Sequence, residues 1–267
     1  MGLMQRKVIH FAHANGFPAG TYRKMLRLLE QQYAVVAIEK LGHNPDYPID
    51  ENWQGLVREL TDHIERRADR PVIGVGHSLG GIVTFIAAYR RPQLFSRVVM
   101  LDPPLVYGPF ALFVFLAKKL GLIDQVKLVS QTRKRRTRWS GREEAAAHFS
   151  AIPLFQRFDP DCLRDYIDSG TVGVDGGVAL SFDSGREASI FRTTPHNLTC
   201  LRRRLPLPGA VVVGEDSYTA GAMLRCFARR HGMLLESFRD GSHLFPLEYP
   251  ERTALFITDT IEKLQPI

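Results

Sequence analysis

The stretch Val72-Ile73-Gly74-Val75-Gly76-His77-Ser78-Leu79-Gly80-Gly81 decides the fold. Val72 to Gly76 holds only Val, Ile and Gly, which reads as a strand buried in a parallel sheet. Ile82 to Tyr89 reads as a helix. The link between them, Gly76-His77-Ser78-Leu79-Gly80, fits G-x-S-x-G. A turn this short strains the backbone at its centre, and glycine at both flanks removes the Cβ atoms that would collide there. Ser78 then stands clear of the sheet, with its hydroxyl beside the positive end of a helix. G-x-S-x-G alone recurs by chance; the strand before it and the helix after it make the signal specific.

Outward from this turn, strand-like and helix-like segments alternate. On the N-terminal side, Val8 to Ala12 is a strand, Gly20 to Gln31 a helix, Tyr33 to Ile38 a strand and Trp53 to Arg67 an amphipathic helix. On the C-terminal side comes a strand at Val98 to Leu101. This βαβαβαβ order predicts an α/β fold with a doubly wound, mostly parallel sheet. The alternation breaks at Asp102-Pro103-Pro104. From there the chain is mostly helical, with helices expected at Phe110 to Leu120, Arg142 to Ser150, Asp161 to Ser169 and Arg186 to Arg192. Asp175-Gly176-Gly177 marks a hairpin turn within Val172 to Ser181. Alternation resumes with a strand at Ala210 to Val213, a helix at Ala220 to His231, a strand at Met233 to Phe238 and a helix at Glu251 to Leu264. The expected organisation is a core of 1–102 plus 196–267, with 103–195 inserted as a helical cap too long for an ordinary loop.

Composition bounds the class. With 45% hydrophobic residues, 267 residues can bury a large core, which excludes disorder. Three scattered cysteines without a C-x-x-C pair read as thiols in a reducing compartment, and a cytoplasmic location is expected. Met1 to Lys7 lacks the apolar stretch of a signal peptide, and no apolar run is long enough to span a bilayer. The net charge of +7 concentrates in Arg133 to Arg138, Arg202 to Arg204 and Arg229-Arg230. Such runs suit an anionic partner or a solvated surface. No nucleic-acid-binding motif accompanies them, so no nucleic acid partner is expected.

A serine hydroxyl is a weak nucleophile and needs a base, and the base an orienting group. The base belongs after the last strand, where Asp240-Gly241-Ser242-His243 puts His243. The acid is Asp216, at the tip of the preceding strand, or alternatively Asp102, at the tip of the strand after the Ser78 helix. Both satisfy the order Ser, acid, His. A helix N-cap accounts for Asp216 equally well, and a turn between lobes for Asp102. A tetrahedral intermediate needs preset donors for its oxyanion. Leu79 N–H supplies one. The loop His13-Ala14-Asn15-Gly16-Phe17-Pro18 supplies the other through Phe17 N–H.

Asn15-Gly16-Phe17-Pro18, Gly76 to Gly81 and Gly241 to Glu248 resemble three signatures of the α/β-hydrolase family. Leu41-Gly42-His43-Asn44-Pro45 resembles the glycine loop after that fold's next strand, and Glu187 to Arg192 the lid end of capped members. The resemblance covers nearly the whole chain. It implies a capped serine hydrolase with about six core strands, Ser78 as nucleophile, His243 as base, Phe17 and Leu79 as oxyanion donors, and no metal or organic cofactor. The chain departs from the family at Asn15, where many members carry His, and at Ser217-Tyr218, where the acid usually falls. A serine at the turn argues against epoxide hydrolases and haloalkane dehalogenases, which use Asp there. The expected reaction is hydrolysis of an ester or related acyl bond. A lactone, a carbon–carbon bond or a non-catalytic binding role is the alternative. Phe110, Phe113, Phe115, Phe149, Phe155 and Phe158 suggest an apolar acyl or aromatic substrate, or else the core of the cap itself.

Overall fold

A computed structural model of the chain describes residues 6–125, 127–218 and 221–265. Its centre is a six-stranded sheet, parallel throughout: β1 (Val8–Ala12), β2 (Ala34–Ile38), β3 (Val72–His77), β4 (Phe95–Leu101), β8 (Gly209–Gly214) and β9 (Leu234–Phe238). The spatial order is β2-β1-β3-β4-β8-β9. Successive strand residues serve opposite faces, as the pleat requires. Val8, Val72, Val98, Met100 and Val211 join one core cluster, while Ile9, Phe11, Ile73, Val75, Val99 and Val212 join the other.

Helices cover both faces. α2 (Gln54–Arg67), α3 (Leu79–Arg90) and α9 (Gly221–His231) pack into the first cluster through Leu56, Leu60, Ile82, Ile86, Leu224 and Phe227. α1 (Arg23–Leu29) and α11 (Pro250–Lys263) pack into the second through Met25, Leu29, Ala254 and Ile257. From Leu79 to Tyr89 every residue of α3 is buried, which explains why that segment is apolar all round rather than amphipathic.

β4 and β8 are neighbours in the sheet although residues 102–208 separate them in sequence. That intervening chain carries α4 (Pro109–Lys119), α5 (Lys127–Lys134), β5 (Arg138–Trp139), α6 (Arg142–Ser150), α7 (Pro160–Gly170), β6 (Thr171–Val174), β7 (Gly177–Leu180) and α8 (Ser184–Arg192). The three short strands form an antiparallel sheet in the order β5-β7-β6, turning at the expected Asp175-Gly176-Gly177. There Gly176 and Gly177 take φ of 78° and 149°. Phe149, Phe155 and Phe158 are buried against Trp139 and Tyr166, so these three phenylalanines are packing residues of the insertion. The insertion is also tied to the sheet layer by Lys24–Asp159 at 2.9 Å and Arg23–Asp165 at 2.7 Å.

The order of strands reverses direction between β1 and β3: the chain runs outward from β1 to β2, then returns to β3 and continues to the other side. In open parallel sheets ligands settle at this switch, beyond the carboxyl ends of the strands. The loops after β1 and β3 carry Phe17 and Ser78.

Candidate active site

Ser78 occupies the tight turn between β3 and α3 with φ 53° and ψ −114°, a backbone conformation L-residues rarely adopt. The glycines around it are dictated by contact. A Cβ on Gly76 would overlap the backbone of Gly80, and one on Gly80 would overlap the carbonyl of Ala12 in β1. The turn is held by Ser78 N–H donating to Leu101 O at 2.9 Å and Gly80 N–H donating to His13 O at 3.2 Å. Leu79 is the first residue of α3, so its N–H has no intrahelical acceptor.

His243 lies in the loop between β9 and α10 (Phe245–Glu248). Its Nε2 is 3.0 Å from Ser78 Oγ, and its Nδ1 is 2.6 Å from Asp102 Oδ2. With Nδ1–H donating to the carboxylate, Nε2 is left as the acceptor of the Ser78 hydroxyl. Asp102 directly follows β4 with φ 42° and is fully buried. Its Oδ1 accepts from Gly214 N–H at 2.9 Å, and its Oδ2 also accepts from Ser217 Oγ at 2.7 Å. Burial pushes this carboxyl up. The bonds from His243, Ser217 and Gly214 outweigh burial and hold it below the ordinary aspartate range.

Asp216, the first candidate for the acid, does not meet His243. Its carboxylate is 60% exposed and lies 3.9 Å from the Arg157 guanidinium. The imidazole's partner is the alternative, Asp102. Ser217, at the position where the acid usually falls, hydrogen-bonds to Asp102 from the neighbouring strand tip. Phe17 sits in the expected loop, but its N–H closes a turn onto Ala14 O at 3.1 Å. Its ring packs among Phe155, Phe158 and Tyr166, with centroids at 6.1, 5.9 and 5.5 Å.

Several residues hold the site in roles that the sequence did not assign to them. Tyr22 O–H donates to His77 Nδ1 at 2.7 Å, and His77 Nε2–H donates to His243 O at 2.8 Å. Ala14 N–H donates to the same tyrosine oxygen at 3.3 Å. One buried chain of bonds therefore joins the Phe17 loop to the His243 loop. Burial, then the neighbouring His243, lowers His77 to about 3, so it is a neutral strut. His13, also lowered by burial to about 4, accepts from Leu41 N–H at 2.7 Å and donates to Ala14 O at 2.8 Å. Glu248 accepts from Ser242 Oγ at 2.6 Å and pairs with Arg157 at 2.8 Å. The residue types carried no signal for these roles, although His13, His77 and Glu248 lie inside the three quoted stretches.

Ser78, Leu79 and His243 open onto a cavity of about 1040 Å³. Its far wall is apolar, with Leu105, Phe110, Phe113, Val114, Leu122 and Val129. Of the six phenylalanines singled out in the insertion, Phe110 and Phe113 are the ones lining it.

A parallel α/β sheet with serine at the strand–helix turn and an imidazole against its hydroxyl defines the class: an enzyme of the α/β-hydrolase type. Residues 11–254 match the model of the Alpha/beta hydrolase family, and the chain belongs to that family. It is 33% identical over 126 residues to the Type I acyl-CoA thioesterase mpaH of Penicillium brevicompactum, covering 45% of this chain and 27% of that protein. It is 27% identical over 129 residues to the monoglyceride lipase of Rattus norvegicus, covering 44% of this chain and 43% of that protein. The chain thus spans less than half the length of these curated relatives. The solved structure of E-2-(acetamidomethylene)succinate hydrolase superposes with a TM-score of 0.77 at 21% identity, covering 97% of this chain and 92% of that one. That likeness is one of fold.

Proposed function

We propose that the protein is a serine hydrolase cleaving an ester or thioester bond next to an apolar acyl group, with residues 103–195 acting as a cap over the site. The observation that carries this reading is the line Ser78–His243–Asp102, with separations of 3.0 and 2.6 Å, facing an apolar cavity. Ser78 Oγ attacks the carbonyl carbon while His243 Nε2 takes its proton. Asp102 keeps the imidazole in the tautomer with hydrogen on Nδ1 and stabilises the imidazolium. Leu79 N–H, left without an acceptor by its place in α3, donates to the oxyanion, and Phe17 N–H joins by turning from Ala14 O. Each such donor is worth about 2.7–4 kcal/mol in the transition state. The imidazolium returns its proton to the departing alcohol or thiol. Water then releases the acyl group from Ser78, with His243 again as base, restoring both side chains.

The pairing of mpaH with a thioesterase activity and of the rat relative with monoglycerides supports an acyl substrate. The test is turnover of p-nitrophenyl esters of rising chain length, an acyl thioester and a lactone by wild type and Ser78→Ala. A loss of at least about 10³-fold in the variant is expected on esters or thioesters. Equal rates in the two proteins would remove the reading, and a preference for the lactone would redirect it.

A further inference from the structure

α4 is the least sheltered apolar element among the described residues. Ala111 and Val114 are its buried residues, and with Val106 they form a small cluster separate from both faces of the sheet. Leu112, Phe113, Leu116 and Leu120 are 61%, 64%, 48% and 71% exposed. At this spacing they share one face of the helix and its last turn. Leu122, just beyond, is 47% exposed. An apolar face this large and continuous marks an interaction surface rather than ordinary scatter.

Charge indicates the partner. Between Pro103 and Arg142 the sequence has nine Lys or Arg and one acidic residue, Asp124. Lys118, Arg135, Arg136 and Arg142 are engaged with Glu51, Glu187, Glu144 and Asp168. Lys119, Arg133 and Lys134 are exposed, and none has an acidic partner among the described residues. Lys119 closes α4. Arg133 and Lys134 end α5, whose Val129 lines the cavity together with Phe113 and Leu122. The apolar face thus runs into the wall of the cavity, and Lys119 stands at its C-terminal end. Phe110 and Phe113 belong both to that wall and to the exposed surface.

We infer that α4 docks on an anionic phospholipid bilayer, lying in the interface with Leu112, Leu116 and Leu120 toward the acyl chains. Lys119, Arg133 and Lys134 then face the phosphates. Docked in this way, a lipid-borne acyl chain passes from the bilayer along Phe113 to Ser78 without crossing water. That last step rests on the proposed hydrolase reading; the docking does not.

Flotation with vesicles of phosphatidylcholine alone, or of phosphatidylcholine with phosphatidylglycerol, tests the inference on the full chain carrying Ser78→Ala. Lys119, Arg133 and Lys134 together predict roughly a hundredfold tighter binding to the anionic vesicles at low salt, fading at high salt. The combined variant Leu112→Ser, Leu116→Ser, Leu120→Ser should abolish binding. In the Ser78 background it should hydrolyse soluble p-nitrophenyl butyrate within about twofold of wild type, since none of these leucines lines the cavity. Lys119→Glu with Lys134→Glu, which leaves the helix surface apolar, should lose the preference for phosphatidylglycerol and keep the wild-type melting temperature. Absence of binding to either vesicle overturns the inference. So does binding that survives the triple serine variant, or a dimer in solution that the triple variant dissolves while vesicles go unbound. If Ser78→Ala retains full ester turnover, the hydrolase reading falls while the flotation result stands alone.

Discussion

Replacing Asp102 with Asn tests the assignment of the acid most directly. The carboxylate accepts hydrogen bonds from Gly214 N–H on Oδ1, and from Ser217 Oγ and His243 Nδ1–H on Oδ2. In the amide, Oδ1 keeps its bond to Gly214, so an NH₂ group replaces Oδ2. Ser217 adapts by turning its hydroxyl to accept. The imidazole cannot adapt without cost: Nδ1 must become an acceptor, which moves the hydrogen to Nε2 and points a donor at the Ser78 hydroxyl. The base is then unable to take the serine proton. The expected loss is about 10⁴-fold in kcat, or about 5 kcal/mol of transition-state stabilisation. KM should stay near wild type, because Asp102 does not line the cavity.

The matched control is Asp216→Asn. That carboxylate is exposed and faces Arg157 at 3.9 Å, a distance and exposure at which an ion pair contributes little. Less than threefold loss is expected. The assay is steady-state turnover of a p-nitrophenyl ester together with the rate of labelling by a fluorophosphonate, with melting curves to show that both variants fold. A loss under tenfold in Asp102→Asn, or a larger loss in Asp216→Asn than in Asp102→Asn, would refute the tautomer argument.

Three further outcomes follow from packing and burial. Gly80→Ala puts a Cβ into the Ala12 carbonyl, backbone against backbone, and should lower stability by about 3 kcal/mol or prevent folding, whereas Gly108→Ala, at φ 63° with open space around it, should lower it by about 1 kcal/mol in chemical denaturation. Tyr22→Phe leaves His77 Nδ1 and Ala14 N–H without a partner and should cost about 1–3 kcal/mol, with a several-fold fall in kcat as the two site loops lose their link. Glu59, in α2, is raised by burial to about 7 against the bonding of Gly42 N–H and the charge of Arg186. The native state therefore keeps a proton that the unfolded chain has released, so stability is full below pH 4.5 and declines as pH rises toward 7. Glu59→Gln should flatten that decline, which amounts to about 2–3 kcal/mol, in denaturation series between pH 5 and 8; an unchanged slope would contradict it.

The sheet was legible because a strand buried on both faces leaves a local mark. Val72 to Gly76 was expected and β3 spans Val72–His77; the expected Arg142 to Ser150 helix is α6. The edge strands β2 and β9, with their partly exposed residues, were found to within one residue. α5 escaped because its apolar residues are few and its end runs into Arg133 to Arg138, which reads as loop. β5 is two residues long and exists through its pairing with β7. The acid was ambiguous for a different reason. Asp102 and Asp216 lie just beyond neighbouring strands β4 and β8, and the order along the chain is the same for both. What separates them is the direction of a side chain. Asp102 follows its strand at φ 42°, with Pro103 next, and its carboxylate turns inward to accept from Gly214 N–H. Such backbone detail is set by tertiary contacts that no pattern along the sequence carries.

The basic run shows how the insertion and the serine site depend on each other. Arg135 pairs with Glu187 of α8, which is 1% exposed and buried beside the Phe17 loop. Gly16 takes φ 84°, which favours glycine, and a Cβ there would come within 2.6 Å of Glu187 Oε1, so a side chain would also push the carboxylate aside. Asn15 Nδ2 donates to Glu187 O at 3.1 Å, fixing the same loop to α8. Burial pushes Glu187 up, against the pull of Arg135. Without that guanidinium the carboxylate would be a lone charge in an apolar contact, which is far more costly than the pair is favourable. The arginine is therefore needed for the glutamate to be tolerated, and the glutamate helix supplies the wall against which Asn15, Gly16 and Phe17 are set. Part of a run that looks like solvated surface in the sequence thus supports the loop that delivers a candidate oxyanion donor. Of the other cations in the run, Arg136 pairs with Glu144, and Arg133, Lys134 and Arg138 are exposed.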